Sequence, residues 1–165
     1  AYCPVPDFFD EGIGARLTTA DIGEDPIQVG ITTITPRKVN HTPGISTFGF
    51  RLDSDGQSLA YIPDVEYLNE THQRPALQLA EGVDLLIHDA HHTSAEYDSQ
   101  RGCGHCSDAA AVELARKADV GKLILFHHHP DHGDDTIDDV VSHYSGDEVD
   151  VEAASERAEY VLDSR

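Results

Sequence analysis

The sequence predicts an α/β fold, a sheet flanked by helices, and three observations carry that reading. Short β-branched and apolar runs separated by turn residues fill residues 27–62. Two further apolar runs, 83–87 and 122–126, alternate with helical patterns, so hairpin strands come first and αβαβ units second. Both of those later runs end in clusters of His and Asp, at the strand ends where α/β proteins build their sites. With 165 residues and 39% hydrophobic content, the chain has the size of one ordinary domain.

Taken in order, residues 27–39 (IQVGITTITPRKV) read as one strand, and Pro36 near its end suggests a place close to a sheet edge. A turn follows at His41-Thr42-Pro43-Gly44. Residues 45–52 and 58–62 form a hairpin through Asp53-Ser54-Asp55-Gly56, because Asp and Gly tolerate the turn dihedrals. Residues 74–80 read as a short helix, 83–87 as a buried strand, 107–118 as a helix capped by Ser107, and 122–126 as another buried strand. A further short helix fits 136–143. Residues 149–162 suit a strand pair or a helix equally, and the acidic ends read as disordered.

Charge narrows the function. Thirty-one acidic residues against eleven Lys and Arg give a formal charge of −20, which repels phosphate backbones and argues against a nucleic-acid-gripping surface. The same composition suits a high-salt habitat, where self-repulsion is screened. Three Cys make no disulfide framework, and with no apolar run long enough to span a bilayer and no signal-peptide pattern, the expected location is the cytoplasm and no membrane partner is expected. The sequence opens on Ala1 and contains no Met, which reads as a piece of a longer protein.

Eleven His are many for this length, and their placement carries the chemistry. One apolar strand leads into His88-Asp89-Ala90-His91-His92, the other into His127-His128-His129-Pro130-Asp131-His132, and Tyr61-Ile62-Pro63-Asp64 ends in a carboxylate. Neutral imidazoles and carboxylate oxygens suit zinc, manganese or iron, and a shared carboxylate can bridge two such ions.

Several segments resemble, in order and spacing, the C-terminal half of the metallo-β-lactamase fold, nearest to its phosphodiesterase and ribonuclease Z branch. VNHTPGISTFGFRL is similar to the family's third metal motif, LAYIPDVEY to the fourth and LILFHHHPDH to the fifth. DLLIHDAHH and GCGHCSDAAAVELA resemble the two segments that carry the branch's acid–base groups. The resemblance implies an αββα sandwich of which this chain, as a single partial domain over 1–165 and most strongly over 27–135, supplies mainly the C-terminal αβ half. It implies two divalent metal ions, zinc first, with manganese or iron as alternatives. By resemblance His41 would bind one ion, Asp64 would bridge the pair and His127 would bind the other. His105 would protonate or stabilise the leaving oxygen, and Asp89 would orient an imidazole by hydrogen bonding. The implied reaction is phosphodiester hydrolysis, with a small-molecule or nucleotide diester favoured over large RNA.

Two features depart from the family. The His-x-His-x-Asp-His motif that supplies the other ligands does not occur in these 165 residues, so the remaining ligands are expected upstream and the chain alone is expected to be inactive. Cys106 stands where the branch has Ser or Thr, which could alter the helix cap. An exposed apolar face and edge are expected in turn, with self-association or pairing with the missing half.

Other readings compete. A non-catalytic regulatory or interaction module on the same fold is one. Cys103-Gly104-His105-Cys106 matches the C-x-x-C of thiol–disulfide oxidoreductases, although a polar stretch rather than a strand precedes it, and the two Cys could instead hold a structural zinc. Asp131-His132-Gly133-Asp134-Asp135 reads as a solvated acidic loop, His128 and His129 as non-ligands, and Tyr61 and Tyr67 as packing residues.

Overall fold

The computed structural model describes residues 21–162. The elements are β1 (Ile27–Val29), β2 (Thr32–Val39), β3 (Thr47–Ser54), β4 (Gln57–Ile62), α1 (Glu70–Ala80), β5 (Leu85–Asp89), α2 (Tyr97–Gln100), α3 (Asp108–Lys117), β6 (Lys122–Phe126), α4 (Asp134–His143) and β7 (Asp150–Ala153). The strands form one seven-stranded sheet in sequence order. β1 to β4 pair antiparallel, and β4 to β7 pair parallel through helical crossovers.

Right-handed crossovers stepping one way along a sheet place their helices on one face. α1 and α3 accordingly pack on the sheet and on each other. Ala60, Ile62, Leu86, Leu123 and Leu125 from the strands meet Ala76, Leu79, Ala111, Val112, Leu114 and Ala115 from the helices in one buried core. Along the strands these inward residues alternate with Phe50, Leu59, Tyr61, Ile87 and Phe126, which remain half-exposed on the opposite face. The described residues thus comprise one sheet and one helical layer, matching the expected αβ half.

The hairpin of β3 and β4 turns at Asp55-Gly56, both with positive φ, as its Asp-Gly chemistry predicts. Ser107 caps α3, its hydroxyl accepting from the Ala110 amide at 3.2 Å. Cys106 precedes the cap, so replacing Ser or Thr there leaves the helix start intact.

Four expectations change. Residues 27–39 are two strands, because the chain reverses at Gly30-Ile31 and pairs Ile27 with Ile34; β1 ends short of Pro36, whose missing amide proton therefore costs no ladder bond on that side. α1 starts at Glu70, four residues before the expected start. Asn69 caps it, accepting from the His72 amide at 3.1 Å, and Pro75 sits inside the helix rather than at its start. The buried strand expected over 83–87 lies at Leu85–Asp89, and of residues 149–162 only Asp150–Ala153 is regular, pairing parallel with β6. The expectation of disordered acidic ends concerns residues 1–20 and 163–165, outside the described range.

Gly49 of β3 lies under α1, where an added Cβ would sit 2.8 Å from Leu79 Cδ1 and 3.3 Å from Ile62 Cγ1. Gly49→Ala is expected to lower stability by about 1–3 kcal/mol through overpacking. A urea unfolding midpoint that falls at constant m-value bears this out; an unchanged midpoint contradicts it.

Candidate metal and acid–base site

The sheet topology brings the candidate residues together. β2 is antiparallel to β3, and β3 to β4, so β2 runs parallel to β4, β5 and β6 and all four carboxyl ends share one edge. His41 follows β2, Asp64 follows β4, Asp89 ends β5 and His127 follows β6. His105 reaches the same edge from the loop that leads into α3. All five expected site residues therefore lie in one region. His127 sits there with φ +62°, a left-handed conformation uncommon outside Gly.

Asp89 is fully buried and organises this region. Its Oδ2 accepts from His105 Nδ1 at 2.7 Å and from the Val65 amide at 3.2 Å. Its Oδ1 accepts from the His91 amide at 3.0 Å and the Cys106 amide at 3.3 Å. The hydrogen bond to Asp89 raises the His105 pKa above the ordinary imidazole value, against the opposing effect of burial. Neighbouring His88 is a core residue: its Nδ1 donates to the Asp89 carbonyl at 2.7 Å and its Nε2 accepts from Tyr67 Oη–H at 2.6 Å. Burial lowers its pKa, and Tyr67 packs against the core, as expected, and makes this bond as well.

A second buried carboxylate, Glu66, holds the loop before His105. Its Oε1 accepts from the Gly102 amide at 2.6 Å and from the Tyr97 hydroxyl at 3.1 Å, and its Oε2 accepts from the Gly104 amide at 2.9 Å. Glu66 also exchanges backbone-level bonds with Asn40: its amide donates to Asn40 O, and Asn40 Nδ2 donates to Glu66 O, both at 2.8 Å. The circuit closes where His41 Nδ1 donates to the Gly104 carbonyl at 2.7 Å. Gly104 has φ +103°, and a Cβ there would lie 2.6 Å from His41 Nδ1, so both the backbone conformation and the close approach require glycine.

The imidazoles crowd together. His105 stacks on His91 with ring centroids 4.4 Å apart and on His127 at 4.9 Å, and His41 meets His105 edge-on at 4.9 Å. His91, His105 and His127 offer ring nitrogens within 4.8 Å of one another, and Asp64, Asp89 and His105 form a second such group. His127 Nε2 lies 3.4 Å from Asp64 Oδ1.

This donor set fits a divalent metal. His41 and His91 give their Nδ1 protons to backbone carbonyls and His105 shares its own with a carboxylate, which leaves Nε2 as the free nitrogen in each. Metal-binding histidines are oriented in that way. Glu66 and His91 were not among the expected site residues. The available signals were a Glu alternating with apolar neighbours in Val65-Glu66-Tyr67 and the second imidazole after a buried strand.

The thiol readings find little support. Cys106 is buried, and burial pushes its thiol pKa well up, whereas a reactive thiol has it lowered. Cys103 is exposed, with its sulfur 3.2 Å from His92 Nε2. Helix α4 starts directly after Gly133, so Asp134 and Asp135 belong to its first turn.

A mixed sheet with one helical layer and imidazoles and carboxylates gathered at the carboxyl edge defines a protein of the metallo-β-lactamase fold. Residues 4–128 match the beta-lactamase superfamily domain, and the chain belongs to that hydrolase superfamily. The metallo-beta-lactamase fold protein YhfI from Bacillus subtilis superposes with a TM-score of 0.65 at 22% identity, covering 82% of this chain and 52% of that one. Human tRNase Z, short form, gives 0.63 at 18% identity, over 83% of this chain and 46% of that one. Ribonuclease BN of Escherichia coli is 46% identical over 52 residues, 32% of this chain and 17% of that protein. The chain thus spans about half of the two solved structures, and its match to the curated relative covers a far smaller share. No helix among the described residues is long and apolar enough to cross a membrane.

The Asp89–His105 pair makes a pH prediction for the metal-free protein. Because the folded pKa of His105 lies above its unfolded value, the pair's stabilisation is complete below the ordinary imidazole pKa and is lost as pH rises through the raised value. NMR titration is expected to place the His105 midpoint above that of an exposed His, and Asp89→Asn to bring it down. A midpoint unmoved by that substitution would show that Asp89 does not set it.

Proposed function

We propose that the natural protein is a metal-dependent phosphodiesterase, with this chain contributing one wall of a binuclear site. The observation that carries the reading is the Asp89–His105 pair, set beside His127 and Asp64 at the shared strand edge. In this reading His41, Asp64 and His127 would hold the ions, zinc first, and the remaining ligands would come from outside these 165 residues. When bound, such ions activate water for attack and neutralise charge developing on the phosphoryl oxygens.

The chain's own groups supply the acid–base part. Asp89 keeps the proton on His105 Nδ1 and favours the protonated ring, so Nε2–H is the donor to the leaving oxygen. Glu66, through Gly104, keeps His41 turned with Nε2 outward. The match to ribonuclease BN and the structural likeness to tRNase Z support a phosphodiester substrate. The formal charge of −20 favours a small or nucleotide diester over a long RNA.

The test uses the complete natural protein, with elemental analysis and hydrolysis of bis-p-nitrophenyl phosphate. Two ions per chain are expected, and His41→Ala, Asp64→Ala and His127→Ala are each expected to lose metal together with activity. His105→Ala is expected to keep the metal and lose about 10²–10⁴-fold in rate, the usual worth of a general acid. Full activity in metal-depleted protein would overturn the proposal.

A further inference from the structure

We infer that the cleft between α2 and the loops after β5 and β6 is a nucleobase subsite. It takes the base of a nucleotide diester whose ring bears an exocyclic amine, adenine first, and His129 and Gln100 are its principal residues. The inference deepens the phosphodiester reading above and rests on it for the choice of substrate, but it uses none of the residues given there to metal binding or acid–base chemistry.

Position comes first. The cleft has a volume of about 250 Å³ and is lined by His92, His129 and His132 from the two loops and by Glu96, Ser99 and Gln100 from the start and body of α2. Drug-sized pockets run to about 300–1,000 Å³, so this one suits a single ring system. The two loops are tied where the His129 amide donates to the His91 carbonyl at 3.1 Å. The His91 ring meets His129 edge-on with centroids 4.8 Å apart and stacks on His105 at 4.4 Å. One ring thus separates the cleft from the group that faces the leaving oxygen, and a substituent of a diester held at the strand edge has the cleft within reach.

The walls match a flat, neutral, hydrogen-bonding ring. His92 and His129 present imidazoles 6.0 Å apart and tilted by 37°, and imidazole is one of the aromatic surfaces on which unpaired bases stack. The Asp131 amide donates to His129 Nδ1 at 3.2 Å, which leaves Nε2–H of that ring as a donor. The Gln100 side chain is exposed, and its carboxamide makes no hydrogen bond among the described contacts. It offers a donor and an acceptor side by side, the pair that meets the ring nitrogen and amine of adenine. The Asp131 carboxylate, 92% exposed at the rim, is a further acceptor for an amine. Charge disfavours a second phosphate here. Glu96 accepts from the Thr93 hydroxyl at 2.7 Å and amide at 3.0 Å, which hold its pKa down at about 2, and it pairs with His132 Nε2 at 3.0 Å. Ionised Glu96 beside Asp131 repels phosphate and tolerates the neutral base. Uracil, with a carbonyl where adenine and cytosine carry the amine, turns lone pairs towards Asp131.

The experiment assays the complete natural protein on the dinucleoside monophosphates ApA and UpU and on bis-p-nitrophenyl phosphate, which has no base. ApA is expected to exceed UpU in kcat/KM by about 5–150-fold, the worth of one bidentate base contact. Relative to bis-p-nitrophenyl phosphate, His129→Ala and Gln100→Ala are each expected to lower kcat/KM for ApA by about 5–150-fold, mainly through KM. His129→Phe keeps a stacking face and is expected to lose less than His129→Ala. Equal turnover of ApA and UpU, or a loss on bis-p-nitrophenyl phosphate as large as that on ApA, overturns the inference. Adenosine alone is the second probe: in NMR spectra of the same protein it is expected to shift the His129 ring signals, whereas uridine is not. If no diester is hydrolysed, the phosphodiester reading fails and these shifts still decide the subsite. Their absence with adenosine, or equal shifts with uridine, overturns it.

Discussion

The Asp89 carboxylate, buried at the end of β5, is the constraint on which the site depends. It accepts four hydrogen bonds, from one imidazole and three backbone amides drawn from the loops after β4 and β5 and before α3. A carboxylate removed from water is costly unless its oxygens are satisfied, so these loops are held where their N–H groups meet it. The same bonds that solvate the charge fix His105 and His91 in place. Folding and site geometry are here one set of interactions.

Glu66, buried in the loop after β4, repeats the device. Two residues beyond Asp64, it gathers Tyr97, Gly102 and Gly104, and through Gly104 it fixes His41. Asn40 and Glu66 bind each other reciprocally, so the end of β2 and the loop after β4 move as a unit. Both carboxylates sit at the carboxyl edge because the parallel part of the sheet aims β4, β5 and β6 there, while the antiparallel part returns β2 in the same direction. Rigid strands and charged anchors together give the preorganisation that a catalytic edge requires.

Much of this was legible in the sequence. The Asp-Gly hairpin, the Ser107 cap and the buried strand at Lys122–Phe126 all follow local rules that tertiary packing did not override. The gathering of His41, Asp64, Asp89, His105 and His127 at one edge followed from strand ends and motif order. Other features were hidden for identifiable reasons. The reversal at Gly30 lies inside a continuous β-branched run, so composition alone gave one strand. The start of α1 was obscured by Pro75, which reads as a helix start yet lies in the second turn behind the Asn69 cap. Glu66 and His91 take their importance from contacts with residues 25 or more positions away, such as Gly102, Gly104 and His127, which no local pattern reports.

The most direct measurement of the central claim is anomalous X-ray diffraction at the zinc absorption edge from crystals of the complete natural protein grown with zinc. The account places the anomalous peaks at the carboxyl edge of β2, β4, β5 and β6, in contact with Asp64 and His127. Peaks at Cys103 and Cys106 instead, or a strand edge free of anomalous signal in zinc-saturated crystals, would contradict it.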